Sequence, residues 1–333
     1  MKFELNRRTL LADLGASAAL PVPVFAQAAG NAVVYTSNNQ QAVQSITDVA
    51  RTKAPNLRFN FVTGGSAVLL RRMESEAGKP QADVFWSSSA NTLGAFKPLF
   101  ESYRSPEAAS IPAMFAEPQN LWTASNVHVV VQMVNTNQLG GNPQPKTWAD
   151  LLDPRWKGKI IIADPANSST AFTILWGVRQ MLGADALRKL AVNTTVTPAA
   201  ATVLRAVAQG EFTVGLTFES NAYAYVAGGQ KEIKLVYAED GTFTTPEFIV
   251  LAKGAPNGDA AKRAFDVMIS RDVQIALLEN AFRRPSRGDI DVSKHADLPN
   301  LGSIKLFALD ENDAAAKRDA FLAEWQAAVA AAR

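Results

Sequence analysis

From Asn31 onward, short apolar runs alternate with longer stretches of helical period. Ala32-Val33-Val34-Tyr35 predicts a first strand, Thr36 to Asn39 a polar turn, and residues 41–53 a helix with Ala42, Ile46, Val49 and Ala50 on its apolar side. Residues 56–62 alternate as a second strand. Thr63-Gly64-Gly65-Ser66 leads into a helix over 67–76, and Asp83-Val84-Phe85-Trp86 predicts a third strand before Ser87-Ser88-Ser89-Ala90 opens another helix. Three successive strand–polar loop–helix units imply a mostly parallel sheet with helices on its faces. Ligands in such sheets sit beyond the carboxyl ends of the strands, where all three polar loops fall.

The pattern then changes. Residues 127–134 form a strongly β-branched run interrupted by His128 and Gln132. After the break at Pro143 and Pro145, Ile160-Ile161-Ile162-Ala163 predicts a strand, Ser168-Ser169-Thr170 a polar turn, and the apolar stretch to Leu182 a helix. A helix over 199–209, a strand over 212–218 ending at Glu219-Ser220-Asn221, and a helix carrying Tyr223 and Tyr225 follow. Residues 247–252 return as an apolar strand, and helices are expected over 259–270, 272–279 and 313–333, the last with Phe321 and Trp325 packed on the body.

This order predicts an α/β protein of two lobes. Residues 31–126 plus 253–333 form lobe one with the C-terminal helices, and residues 127–252 supply the crossing strands and lobe two. The crossing strands are 127–134 and 247–252, with a ligand cleft between the lobes. A single extended doubly wound domain is the alternative.

The start of the chain has a different character. Lys2, Arg7 and Arg8 precede an apolar stretch over 10–25 that ends at Ala26-Gln27-Ala28, a small-x-small cleavage pattern. Residues 1–28 are therefore expected to be a cleaved export signal, and Arg7-Arg8 before Thr9-Leu10-Leu11 resembles a twin-arginine leader. The expected product is periplasmic, with no stable membrane insertion after leader removal.

Composition narrows the chemistry. The 333 residues carry 33 basic and 31 acidic side chains, a balance that argues against nucleic acid or an anionic membrane as partner. There is no cysteine, which excludes thiol nucleophiles, disulfides and thiolate metal sites, and His128 and His295 are the only histidines. No nucleophile-elbow, phosphate-loop lysine or H-E-x-x-H pattern is present. No resident metal or cofactor is expected, and an exported serine hydrolase is the competing enzyme reading.

The remaining candidates lie at the strand ends. Thr36-Ser37-Asn38-Asn39, Gly64-Gly65-Ser66, Ser87-Ser88-Ser89 and Ser168-Ser169-Thr170 each precede a helix, where free amides and the helix dipole favour an anion. Capping accounts for any one of these loops alone. Four at the ligand face of two lobes favour an anion site, with Thr36, Ser37, Asn38, Gly65, Ser66, Ser87, Ser88, Ser168, Ser169 and Thr170 as binding residues. Glu219, with Ser220 beside it, is expected at the mouth of lobe two, where a carboxylate would meet an amine or hydroxyl of the ligand. Of Tyr223 and Tyr225, two apart on a helix, at most one faces the cleft; Tyr223 is the candidate. His128 is expected to be structural and His295 to be exposed; Arg71, Arg72, Arg283 and Arg284 could reach an anionic ligand, with surface pairs the blander reading.

An ordered series of motifs spans nearly the whole mature chain: Val34-Tyr35-Thr36-Ser37, Thr63-Gly64-Gly65-Ser66, Ala82-Asp83-Val84-Phe85-Trp86, Thr147-Trp148-Ala149-Asp150-Leu151, Trp156-Lys157-Gly158-Lys159-Ile160, Asp164-Pro165 and Lys253-Gly254-Ala255-Pro256-Asn257. With them the sequence resembles periplasmic substrate-binding proteins of ABC importers, the group for ferric iron, phosphonates, hexose phosphates and phosphoglycerates. The resemblance implies a type II fold whose two lobes hinge closed on a small anionic solute and dock, as a monomer, on a permease of the inner membrane. It implies no catalysis. Iron-binding members place adjacent tyrosines after the strand containing Gly215-Leu216, whereas Tyr223 and Tyr225 are separated here, with Glu219-Ser220 near the expected position. A phosphate ester or phosphonate is the expected ligand. Ferric iron or its chelate, held by Glu219, Tyr223 and Tyr225, is the alternative.

Overall fold

The structure is a computed structural model and describes residues 30–333. The expected export signal over 1–28 lies outside the described residues. The first half contains β1 (Gly30–Thr36), α1 (Gln40–Lys53), β2 (Leu57–Thr63), α2 (Ser66–Ser75), β3 (Val84–Trp86), α3 (Ala90–Leu93) and β4 (Phe100–Glu101). The long β5 (Thr123–Asn135) leads to β6 (Ile160–Ala163), α4 (Ser169–Asn193), β7 (Thr194–Thr197), α5 (Ala200–Ala208), β8 (Val214–Phe218), α6 (Glu219–Ala227) and β9 (Ile233–Val236). The chain returns through β10 (Thr242–Ala252) to α7 (Gly258–Ile269), α8 (Arg271–Ala281), β11 (Arg284–Pro285), β12 (Leu306–Phe307), α9 (Glu311–Ala316) and α10 (Arg318–Ala332).

The strand order is β2-β1-β3-β10-β5-β8-β6-β7. It holds two parallel blocks, β2-β1-β3 and β8-β6-β7. Between them lie β10 and β5, antiparallel to each other and to their outer neighbours. These are the two crossing strands, both longer than the apolar runs at 127–134 and 247–252 suggested. Their extra residues are polar positions such as Thr123, Ser125, Asn126, Thr242 and Thr245, which are nevertheless buried.

Each block has its own core. Val34, Ile46, Val84, Ile249, Phe265 and Leu277 pack on one face of the first, and Tyr35, Leu70, Phe85 and Val250 on the other. Val131, Trp148, Trp156, Ile161, Phe172, Leu175 and Leu216 fill the second. Strands buried on both faces read as continuous apolar runs, which is why Ile160-Ile161-Ile162-Ala163 was visible as a strand.

Three details depart from expectation. Helix α4 runs beyond Leu182, but Gly183 (φ 86°, ψ 177°) breaks its axis at the residue where helix was expected to stop. The tail helix is two pieces, α9 and α10, separated at Lys317. The tail was also expected with lobe one, yet Phe321, Trp325 and Ala328 join the core of the second block, with Phe321 set edge-on to Phe172 and Trp176. Its aromatics found the nearest apolar surface, that of α4, which sequence order alone does not reveal.

Candidate functional site

The carboxyl ends of β1, β2 and β3 lie side by side because these strands are adjacent and parallel. The loops that follow therefore converge. Ser37, Ser66 and Ser87 form a closed trio of hydroxyls: Ser66 Oγ is 2.8 Å from Ser37 Oγ and 2.8 Å from Ser87 Oγ, and Ser37 and Ser87 are hydrogen-bonded to each other. Gly65 caps α2 without a side chain, leaving first-turn amides of that helix without a capping acceptor.

A cavity of about 210 Å³ opens between the two blocks at this point. The first block contributes Ser37, Asn38, Asn39 and Ser87 to Ser89; α4 and α6 contribute Ser169, Thr170, Thr173 and Asn221; the crossing strands and the turn after α8 contribute His128, Thr245, Glu247 and Arg283. A larger surface cavity of about 370 Å³ behind the first block, among Met73, Pro80, Pro98 and Leu99, has few polar groups and lies away from the strand ends.

Of the expected residues, Ser37, Asn38, Ser87, Ser88, Ser169 and Thr170 line the cavity. Gly65 and Ser66 do not line it; Ser66 is joined to it through Ser37 and Ser87. Thr36 is fully buried and positions the loop: its Oγ1 donates to Trp86 O at 2.6 Å and accepts from Asn38 N at 3.1 Å. Ser168 acts as the N-cap of α4, accepting from Ala171 N at 3.3 Å, and Asn39 caps α1 by accepting from Ala42 N at 2.9 Å. Ser220 does not line the cavity. Ser88 is unusual. Its φ is 72°, a left-handed conformation costly for a residue with a Cβ, and its buried Oγ has no hydrogen-bond partner.

Glu219 is not at a mouth open to ligand. It is buried (1% exposed), accepts two bonds from Arg284, Nε to Oε2 at 2.6 Å and Nη2 to Oε1 at 2.6 Å, and a third from the Tyr237 hydroxyl. Burial first, then the Glu219 carboxylate, pushes the Tyr237 phenol well above its ordinary range, so it remains a donor. Tyr223 packs edge-on to Phe282, 4.9 Å between ring centroids, and Tyr225 packs against the core of the second block. Neither Tyr223 nor Tyr225 is hydrogen-bonded to Glu219, whose oxygens are taken by Arg284 and Tyr237. Among the described residues no group of three or more His, Asp or Glu side chains is placed to hold a metal ion.

The carboxylate at the cavity is Glu247. A β-bulge displaces the β10–β5 register between Glu247 and Phe248, and Ser125 Oγ ties the bulge by donating to Glu247 O at 3.0 Å. Bulges re-aim side chains, here Glu247 into the cleft. Its Oε2 accepts from Arg283 Nη1 at 3.0 Å and Asn38 Nδ2 at 3.3 Å. Its Oε1 has no donor nearer than His128 Nε2 at 3.9 Å. Burial raises the Glu247 pKa, but Arg283, His128 and Asn38 together outweigh it and hold the carboxyl below the usual range. His128 lies flat on Phe218, 4.4 Å between ring centroids. Burial keeps its imidazole below the usual pKa, against the pull of Glu247, so it is neutral at pH 7.

Arg283 and Arg284, expected as surface pairs, are both buried. Helix α8 ends in a left-handed turn at Phe282 (φ 54°), and β11 pairs with β5 through Arg284↔Val127. Consecutive residues therefore face opposite ways, Arg283 toward Glu247 and Arg284 toward Glu219. Glu247, Arg283, His128, Thr173, Asn221 and Thr245 were not singled out as binding residues. The available signals were a lone charge inside the apolar run Pro246-Glu247-Phe248-Ile249 and two arginines between an apolar helix end and Pro285.

A two-block sheet joined by antiparallel crossing strands around a polar cavity is the architecture of a solute-binding protein. Residues 79–315 match the family of bacterial extracellular solute-binding proteins, and the chain belongs to that family. The fold is that of type II periplasmic binding proteins. It aligns with the periplasmic binding protein AfuA from Actinobacillus pleuropneumoniae, solved with exogenous fructose-6-phosphate bound, at a TM-score of 0.80 and 27% identity over 90% of this chain and 98% of that one. A putative 2-aminoethylphosphonate-binding periplasmic protein of Salmonella typhi is 24% identical, covering 83% of this chain and 84% of its own. An Fe(3+)-binding periplasmic protein of Serratia marcescens is 25% identical, covering 71% and 72%.

Proposed function

We propose that this chain is the extracytoplasmic solute-binding component of an ABC importer. It captures a small phosphoryl-bearing anion, a phosphate ester or phosphonate, in the cavity between its two blocks and delivers it to an inner-membrane permease without chemical turnover. Residues 1–28 serve as its export signal to the periplasm. The observation that carries the ligand class is the serine trio: hydroxyls from three neighbouring strand ends meet at one point and, with one another as their protein partners, are poised to turn toward phosphoryl oxygens. The likeness to AfuA supports the reading. No helix of the described residues is long and apolar enough to cross a membrane.

Ferric iron has less support, because Glu219 is saturated by Arg284 and Tyr237 and neither tyrosine lines the cavity. A serine hydrolase has less still, since His128 has Asn126 as its hydrogen-bond partner, with Glu247 beyond, and no serine hydroxyl within bonding reach. Closure over the solute would exclude water and strengthen each bond to it.

The test is thermal unfolding of protein stripped of carried-over ligand by unfolding and refolding. The panel holds inorganic phosphate, fructose 6-phosphate, glycerol 3-phosphate, 2-aminoethylphosphonate, dicarboxylates and ferric citrate. At a hundred times Kd a ligand adds about 2.7 kcal/mol, so a saturable rise of several degrees confined to phosphoryl compounds is expected. A rise with ferric citrate alone would overturn the phosphoryl reading.

A further inference from the structure

The cavity has a second pole opposite in character to the serine trio. Glu247 is nine-tenths buried, yet Oε1 faces the cleft with no donor within hydrogen-bond distance. The nearest ring nitrogen, His128 Nε2, stands 3.9 Å from Oε1, beyond hydrogen-bond distance, and 3.4 Å from Asn126 Nδ2. Oε1 thus lacks a protein donor within hydrogen-bond distance, a costly arrangement in a buried site unless a ligand supplies one.

The donor's charge follows from the count of neighbours. Arg283, 3.0 Å from Oε2, already balances the Glu247 carboxylate. A ligand ammonium at Oε1 would sit beside that guanidinium and be repelled by it, whereas a hydroxyl would not. The polar side chains that α4 and α6 bring to the cavity, Ser169, Thr170, Thr173 and Asn221, are neutral. We infer that Glu247, with His128 beside it, is the specificity-determining pole of the cleft and selects phosphoryl esters that carry a neutral hydroxyl, rather than bare phosphate or aminoalkylphosphonates. This rests on the phosphoryl reading above and narrows it to hydroxylated esters.

The experiment is calorimetric titration of the full stripped protein with glycerol 3-phosphate, ethyl phosphate and 2-aminoethylphosphonate, repeated with Glu247→Gln and Glu247→Ala. Wild type is expected to bind glycerol 3-phosphate at least tenfold more tightly than the other two. In the variants that preference should fall to within about threefold, mainly through loss of glycerol 3-phosphate affinity, with ethyl phosphate retained. Equal wild-type affinity for glycerol 3-phosphate and ethyl phosphate would overturn the inference while leaving the phosphoryl reading intact. So would a preference for 2-aminoethylphosphonate, which would make Glu247 a cation site. The wild-type ratio decides even if a variant fails to fold. Failure of wild type to bind any of the three would overturn the phosphoryl reading itself.

Discussion

Two glutamate–arginine pairs are built on consecutive arginines and differ in how completely the carboxylate is satisfied. In Glu219–Arg284 the contact is bidentate, both partners are 2% exposed, and Tyr237 adds a third donor to the carboxylate. In Glu247–Arg283 a single nitrogen meets a single oxygen, and the second oxygen opens on the cavity. A buried ion pair with every acceptor satisfied holds structure together. One with an acceptor to spare is equipped to read a ligand.

The largest effect should come from breaking the saturated pair. Glu219→Ala leaves Arg284 buried and uncompensated and should lower unfolding free energy by about 3–5 kcal/mol, measured by urea denaturation. The protein that remains folded should still bind. A stable variant with tenfold weaker binding would instead return Glu219 to the ligand site.

Arg283→Met should have the opposite profile. Affinity for a phosphoryl ligand should fall about a hundredfold, roughly 2.7 kcal/mol by titration. The stability cost should be smaller than for Glu219→Ala, because Glu247 keeps Asn38 as donor and can take up a proton. Unchanged affinity would remove Arg283 from the cleft.

Acid response separates Glu247 from Glu311, a glutamate of α9 bonded to the same strand. Glu311 on α9 accepts from Thr245 Oγ1 at 2.8 Å, and its second oxygen is buried without a partner. Burial pushes its carboxyl above the usual range. The folded state therefore binds this proton more tightly than the unfolded state, and stability contributed here falls as pH rises through the window above about 4.5. Glu247 is lowered, so its contribution is present above the unfolded value and is lost as pH falls through its folded value. Glu311→Gln should remove part of the decline in stability above about pH 4.5 in a series of urea melts. An unchanged slope would contradict the burial argument.

The smallest effect tests the strained loop. Glycine adopts the φ of Ser88 without penalty, so Ser88→Gly should leave stability within about 1 kcal/mol of wild type. Loss of the unpartnered hydroxyl should weaken binding about fivefold, near 1 kcal/mol. Wild-type affinity would show that the hydroxyl faces the cavity without serving the ligand.

Much of this was legible in the sequence, for identifiable reasons. Strands buried on both faces announce themselves as apolar runs, and helices as periodic ones, so β1, β3, β6, α1 and α5 fell within a residue or two of expectation. The serine loops were legible because parallel strands put their carboxyl ends together whatever the side chains do. Glu219 was misplaced because nothing in local sequence says which side of a strand end meets an arginine sixty-five positions later. Glu247 was missed because its aim depends on a bulge against β5. Arg283 and Arg284 were misplaced because their directions are set by the left-handed turn after α8 and by the pairing of Arg284 with distant β5. Pairings distant in sequence decide these three, and local patterns do not carry them.

The comparison of the two pairs is tested most directly by making each apolar in turn and titrating both proteins with glycerol 3-phosphate. Replacing a whole buried pair with hydrophobic residues tends to preserve folding, so Glu219→Met with Arg284→Met, and Glu247→Met with Arg283→Met, should both yield folded protein. The first double variant is predicted to bind with an affinity close to wild type, and the second to show no saturable heat. Retained binding in the second, or loss confined to the first, would contradict the assignment of Glu247 and Arg283 to the ligand and of Glu219 and Arg284 to the fold.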